Sequence, residues 1–202
     1  MRGPGSFTGV RLALATAAGF SRATGALQAG LDYLPLLAQS AWALINAFIP
    51  GPAYIWALTH ARRELVHLQG FEVRSDLAPI GEILVVTPFE AAEIIASNQS
   101  GGQGPALVLG SGLSRNRDVL EKAMAGNNKG PLLHLPSFFY HPDAAALLRA
   151  AETAAFAQKD IEPLYVRPSD AEENLESIAA SLGLDPAQAR KKLDSLLAGQ
   201  EE

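Results

Sequence analysis

The stretch that most constrains this chain is its opening, Gly3-Pro4-Gly5-Ser6-Phe7-Thr8-Gly9. Three glycines and a proline this close together cannot sit inside a regular strand or helix. Glycine admits positive φ and close backbone approach, and Pro4 fixes its own φ and lacks an N–H. Directly after it, Val10 to Ala23 is rich in Ala and Leu, with Gly19 its one breaker. That run predicts a helix capped by the side-chain oxygen of Ser6 or Thr8 and stopped at Gly25. Two readings of the junction stay open. A glycine turn feeding a helix N-terminus is a generic anion site, and it is also a tight turn that packs a helix close to a strand.

The predicted helix is unusual in its side chains. Between Arg11 and Ser21 its only polar position is Thr16. A helix that is apolar nearly all round must be covered on most sides, by its own sheet or by another chain. Left bare, such a surface predicts self-association.

Downstream, strand and helix signals alternate. Ala26 to Leu31 predicts a strand. Pro35 opens a helix with Leu36, Leu37, Ser40, Ala41, Leu44 and Ile45 on one side, and Pro50-Gly51-Pro52 stops it. Tyr54 to Leu58 and Glu64 to Phe71 predict paired strands joined by Thr59-His60-Ala61-Arg62-Arg63, and Ile83 to Val86 a short buried strand. Thr87-Pro88-Phe89-Glu90 starts a helix, with Thr as cap, Pro at the first helical position and an acid facing the dipole. Further elements are a loop from Asn98 to Pro105, a strand Ala106 to Leu109 ending in a Gly110-Ser111-Gly112 turn, and a helix Arg117 to Ala125. A loop Gly126 to Pro131, a strand Leu132 to Leu135 and a helix from His141-Pro142-Asp143 through Ala157 follow. The alternation implies an α/β fold. A tail with Leu175, Ile178, Ala179 and Leu182 on one face, then Asp185-Pro186 and a second helix with Ala189, Leu193, Leu196 and Leu197, reads either as a solvated appendage or as a docking face.

Composition narrows the chemistry. The net charge is −5 over 202 residues, so there is no domain-wide basic footprint for tight nucleic-acid binding. There is no cysteine, which excludes disulfides, thiolate metal sites and a cysteine nucleophile and fits a cytoplasmic protein. The apolar stretch Tyr33 to Ile49, interrupted by Gln39, Ser40 and Asn46, is short for a bilayer span. The four histidines are His60, His67, His134 and His141. Each pair is spaced off the i, i+4 face that a helical metal motif needs, so no metal site is expected. Gly110-Ser111-Gly112 lacks the fuller nucleophile-elbow pattern. Glu90, Glu93 and Asp143 fall in first helical turns, where the dipole accounts for them.

The run Gly3-Pro4-Gly5-Ser6-Phe7-Thr8-Gly9-Val10-Arg11, continuing through Leu14-Ala15-Thr16-Ala17 to Gly25, resembles the signature of the TsaB (YeaZ-type) family. These are bacterial proteins of the tRNA threonylcarbamoyladenosine machinery, grouped with glycoprotease-like (peptidase M22-like) sequences. Pro163-Leu164-Tyr165-Val166-Arg167-Pro168-Ser169-Asp170-Ala171-Glu172 is similar to the family's closing segment. Ala57 to Val66 is similar to its Asp-Ala-Arg-Arg region, with His60 standing where that Asp would fall.

The resemblance implies an actin-like ATPase (ribonuclease H-like) α/β fold. It implies that residues 1–50 are a remnant of an N-terminal lobe, 51–170 the C-terminal lobe and 171–202 a helical tail, in an N-terminally shortened member. Gly3, Gly5, Ser6, Thr8 and Gly9, with Gly110 and Gly112, would be vestiges of phosphate turns, and no cofactor is expected. The family's catalytic paralogue, TsaD, carries a His-x-x-x-His metal motif after its own glycine loop, and Gly30 to Leu36 has no histidine there. The first helix would pack against a partner subunit through Leu12, Ala15, Gly19 and Phe20, with Arg22 at the rim. The function implied is a non-catalytic scaffold for a TsaD-type catalytic subunit and a TsaE-type ATPase. It would support threonylcarbamoyl transfer to the tRNA adenosine beside the anticodon, meeting tRNA only through the complex. The alternatives are a glycoprotease-like peptidase or small-ligand hydrolase, and a homodimeric binding protein.

Overall fold

The computed structural model describes residues 1–49, 51–62, 64–99, 104–124, 132–166 and 174–198. Pro50 of the expected lobe boundary, residues 100–103 and 126–131 of the two expected loops, Arg63, Ala125 and Arg167 to Glu173 lie outside them. The chain divides into two compact units, Met1–Val166 and Arg167–Glu202.

The first unit is built on one five-stranded sheet. Its strands are β1 (Ala53–Arg62), β2 (Leu65–Val73), β3 (Leu77–Val86), β4 (Ala106–Leu109) and β5 (Leu132–His134), in the spatial order β3-β2-β1-β4-β5. β1 to β3 form an antiparallel meander, and β4 and β5 add in parallel on the other side of β1. β1 and β4 are continuous apolar runs because both their faces are covered. Ile55, Ala57, Leu107 and Leu109 face helix α2 (Tyr33–Ile45), packing on Leu34, Leu37, Ala38 and Ala41. The alternate residues Trp56, Leu58, Ala106 and Val108 face helices α3 (Pro88–Gln99) and α4 (Ser111–Met124), against Ala91, Ala92, Ile95, Leu113 and Leu120. The period-two side-chain alternation of a strand thus supplies two hydrophobic layers from one short segment.

Local chemistry sets the helix ends. Glu90 accepts from the Thr87 N–H at 2.8 Å while the Thr87 hydroxyl oxygen accepts from the Glu90 N–H at 3.2 Å, a reciprocal box opening α3 as expected. The Thr87 N–H and the Thr87 hydroxyl, at 2.9 Å, both donate to the Glu90 carboxylate and hold it below its usual range. Asp143 caps helix α5 (Ala144–Thr153) by accepting from the Ala146 N–H at 2.6 Å. Helix α1 (Phe7–Thr24) has Ser6 as N-cap, accepting from the Gly9 N–H at 3.1 Å, and closes on Gly25 at φ 73°. Gly9 therefore belongs to the first helical turn, and the irregular stretch is only Gly3 to Ser6. Replacing Ser6 by Ala leaves one first-turn N–H without its acceptor. A loss of about 1 kcal/mol is expected, read as a fall of about 2–4 °C in thermal midpoint.

Several expectations are corrected. Ala26 to Leu31 is no strand of the sheet: Gln28 makes an isolated bridge with Ala157, and Asp32 just beyond makes another with Gly3, because the neighbouring segments meet it at single residues and extend no ladder. β1 runs on through Thr59 to Arg62, pairing Thr59 with His67 and His60 with Val66, so the expected connection is a tight turn with Glu64 at φ 57°. β3 is a ten-residue edge strand with no fully buried residue, since only β2 lies beside it. α4 begins at Ser111, well before Arg117, because Gly110 at φ 108° turns the chain straight out of β4 and Leu113 docks in the core within the first turn. α5 ends at Thr153 when Ala154 takes extended backbone, and the chain then pairs at Ala157.

In the second unit, α6 (Leu175–Ser181) and α7 (Pro186–Ala198) pack as a pair, with Ala179 buried and Gly183 at φ 71° in the turn between them. Ile178, Leu182 and Leu184 are exposed.

β5 carries one titratable group in an unusual setting. Both ring nitrogens of His134 are buried and lack a hydrogen-bond partner among the described residues. Burial pushes the imidazole below its ordinary value, with Glu121 partly opposing and Arg117 reinforcing the shift. In the unfolded chain the same ring takes up a proton near pH 6.5. Between that point and the lower folded value the unfolded state holds more protons, so stability falls as pH falls. The thermal midpoint is expected to drop between pH 7.5 and 5.5, and His134→Gln should flatten part of that slope.

Candidate functional site, a glycine-lined cleft beside an apolar helix

The β-sheet places the end of β1 and the start of α4 next to the opening turn. A cleft of about 330 Å³ is lined by Gly3, Pro4, Gly5 and Ser6, by Gly9, Val10 and Ala13 of α1, by Tyr33, by Thr59 and His60 of β1 and by Ser111 of α4. Two helix N-termini therefore border one cavity, and neither has an acid in its first turn. Each contributes partly positive, incompletely bonded N–H groups. Ser6, Tyr33, Thr59, His60 and Ser111 are the polar side-chain residues of the lining. Several are already engaged. Thr59 Oγ1 lies 3.4 Å from His67 Nδ1, and the Tyr33 hydroxyl lies 3.1 Å from His141 Nδ1. Burial also raises the pKa of the Tyr33 phenol, so it stays protonated.

Of the residues singled out as phosphate turns, Gly3, Gly5, Ser6 and Gly9 meet at this cleft, together with Ser111. Thr8, Gly110 and Gly112 do not line it. Gly110 and Gly112 instead lie against the backbone and side chain of Leu58, where they let α4 start close to β1. His60 and Tyr33 are cleft residues that sequence reasoning did not place there. Nothing local marks them: β1 carries His60 to the opening turn, and the Tyr33 N–H, at the start of α2, donates to the Gly3 carbonyl at 2.8 Å. Among the described residues no three His, Cys, Asp or Glu side chains come together as metal ligands.

The second feature is α1 itself. Only Ala18 and Ser21 of its eighteen residues are buried. Its own sheet therefore does not cover it, contrary to what its composition leads one to expect. Leu12 is 67% and Phe20 64% exposed, and Ala15 and Gly19 are exposed between them. Positions 12, 15, 16 and 19 share one helical stripe, flanked by Phe20. The Thr16 hydroxyl donates to the Leu12 carbonyl at 2.8 Å, so even the polar member asks for no outside partner. Arg22 is exposed and held by both Asp160 carboxylate oxygens, at 2.7 and 2.9 Å. No described helix is long and apolar enough to cross a membrane.

No family model and no curated protein matches the chain. Solved structures do. A Pseudomonas aeruginosa protein described as having similarity to peptidase YeaZ superposes with a TM-score of 0.57 at 22% identity, over 82% of this chain and 71% of its own. YeaZ from Pseudomonas aeruginosa gives 0.56 at 21%, over 81% and 72%. The strand order, the two-sided core and these superpositions together show that the chain has the actin-like ATPase-type fold of the YeaZ structures.

Proposed function

We propose that this chain is a non-catalytic scaffold subunit that docks a partner through α1. The carrying observation is the bare stripe of Leu12, Ala15, Gly19 and Phe20 on a helix with only Ala18 and Ser21 buried. Small residues at the centre let a second helix approach closely, and the two large side chains at the margins fill the gaps beside it. The YeaZ-like fold, with the glycine-loop signature that launches this helix, supports a TsaB-type role. The partner would be a TsaD-type catalytic subunit, assisted by a TsaE-type ATPase, and the task would be support of threonylcarbamoyl transfer to the tRNA adenosine beside the anticodon. The chain's formal charge of −5 suits a subunit that meets tRNA through the complex rather than by itself.

Mixing the purified chain with a TsaD-type subunit tests this. Co-elution as one complex in size-exclusion chromatography, and transferase activity that requires both, are expected. Separate elution at micromolar concentration would refute it. Unaided hydrolysis of peptide or ester substrates by the purified chain, abolished by Ser6→Ala or His60→Ala, would favour the peptidase-like alternative instead.

A further inference from the structure

Helix α1 stands outside the sandwich. It packs no more than marginally against any other described helix or strand. Beyond its own continuation through residues 26–30, which borders a hollow with it and where the Ser21 hydroxyl donates to the Ala26 carbonyl, the segment of residues 157–165 meets it near both ends. At the C-terminal end Arg22 grips Asp160. At the N-terminal end Arg11 donates to the Tyr165 hydroxyl at 2.7 Å and lies 3.8 Å from the centre of the Phe7 ring, which stacks on Tyr165 at 5.4 Å. The segment is thinly fixed to the body. Ala157 exchanges two backbone bonds of 2.9 Å with Gln28, the Gln28 side-chain amide donates to the Lys159 carbonyl at 3.2 Å, that of Gln158 to the Gly25 carbonyl at 3.5 Å, and the Leu164 N–H donates to the Arg2 carbonyl at 2.8 Å. None of its residues is fully buried. Its Ile161 reaches Gly30 and borders two hollows, of about 300 and 220 Å³.

We propose that residues 157–165 are a latch, and that latch and α1 open together as one cooperative unit well before the sheet unfolds. An element with few buried apolar atoms and exposed backbone bonds belongs at the low end of local stability. The latch touches α1 at both ends, so releasing it removes the main side-chain restraints on the helix at once. The opening unit carries the bare stripe, so the latch sets how rigidly that stripe is presented. The inference concerns the isolated chain and stands whether or not the proposed partner binds.

Hydrogen exchange of the intact chain, read by mass spectrometry, tests it. Peptides covering residues 7–24 and 157–165 should exchange together, roughly a hundredfold faster than those of β1 and β4. Tyr165→Ala should speed both segments in step, by about tenfold, while leaving β1 unchanged. Asp160→Asn, at the other end and largely exposed, should act in the same direction but more weakly, since an exposed ion pair contributes little. Exchange of α1 at the rate of β1, or acceleration confined to the latch in both variants, would overturn the proposal.

Discussion

Leu12→Asp combined with Phe20→Asp is expected to weaken binding of a TsaD-type partner by roughly a hundredfold or more while leaving the fold intact. Both side chains are about two-thirds exposed, so a carboxylate in their place stays solvated in the free chain. In a complex the same carboxylates would be buried against another apolar helix without partners, at a cost of several kcal/mol each by the desolvation of a charge. The effect therefore separates the two states cleanly. Circular dichroism and the thermal midpoint should be nearly those of the parent, and titration calorimetry should lose its signal. The parent chain should also be the more prone to self-association, because its exposed apolar surface is contiguous and the variant's is not. A double variant that binds the partner as tightly as the parent would take α1 out of the interface. Arg22→Ala is expected to weaken binding far less, since that side chain stands at the margin of the stripe and is already turned to Asp160.

The extent to which this molecule could be read before its structure depended on how local each signal was. Helix α1 was legible because both its ends carry their own instructions, Ser6 and Gly25. The start of α3 was legible for the same reason, through Thr87 and Glu90. Strands were harder. Ala26 to Leu31 and Ile83 to Val86 both read as short strands, yet one is paired only at the isolated Gln28 bridge and the other is the last four residues of a ten-residue edge strand. A strand is defined by its neighbours, and a single sequence does not name them. The start of α4 was hidden because Leu113 and Leu120 are the fully buried large apolar side chains among its described residues, too sparse a period to register. The cleft was half visible. Its glycine turn stands in the sequence, but His60 and Ser111 reach it through the register of β1 and the position of β4, and Tyr33 through the long-range pairing of Gly3 with the start of α2. The exposure of α1 was not visible at all, since composition reports that a surface is apolar and not whether the chain covers it.

Gly110→Ala is expected to destabilise the fold by about 3 kcal/mol or more. Two causes act together. Gly110 sits at φ 108°, where an L side chain is strained. A Cβ there would also run into the carbonyl oxygen of Leu58 and approach Leu37 Cδ2 to 3.0 Å. Neither neighbour can retreat. Leu58 is held in β1, which pairs with β2 on one side and β4 on the other, and Leu37 is fully buried in α2. Relief would require moving the β4–α4 junction, and with it Ser111 and the wall of the cleft. A fall in thermal midpoint of about 6–12 °C is expected for a unit of this size. Gly19→Ala supplies the contrast. That glycine lies inside exposed α1, and nothing stands within 4 Å of the added methyl. It should raise stability by about 0.5–1 kcal/mol through helix propensity, and so a methyl group costs stability at one glycine and adds it at the other. Equal effects at the two sites would mean that the close approach of α4 to β1 is not what Gly110 secures.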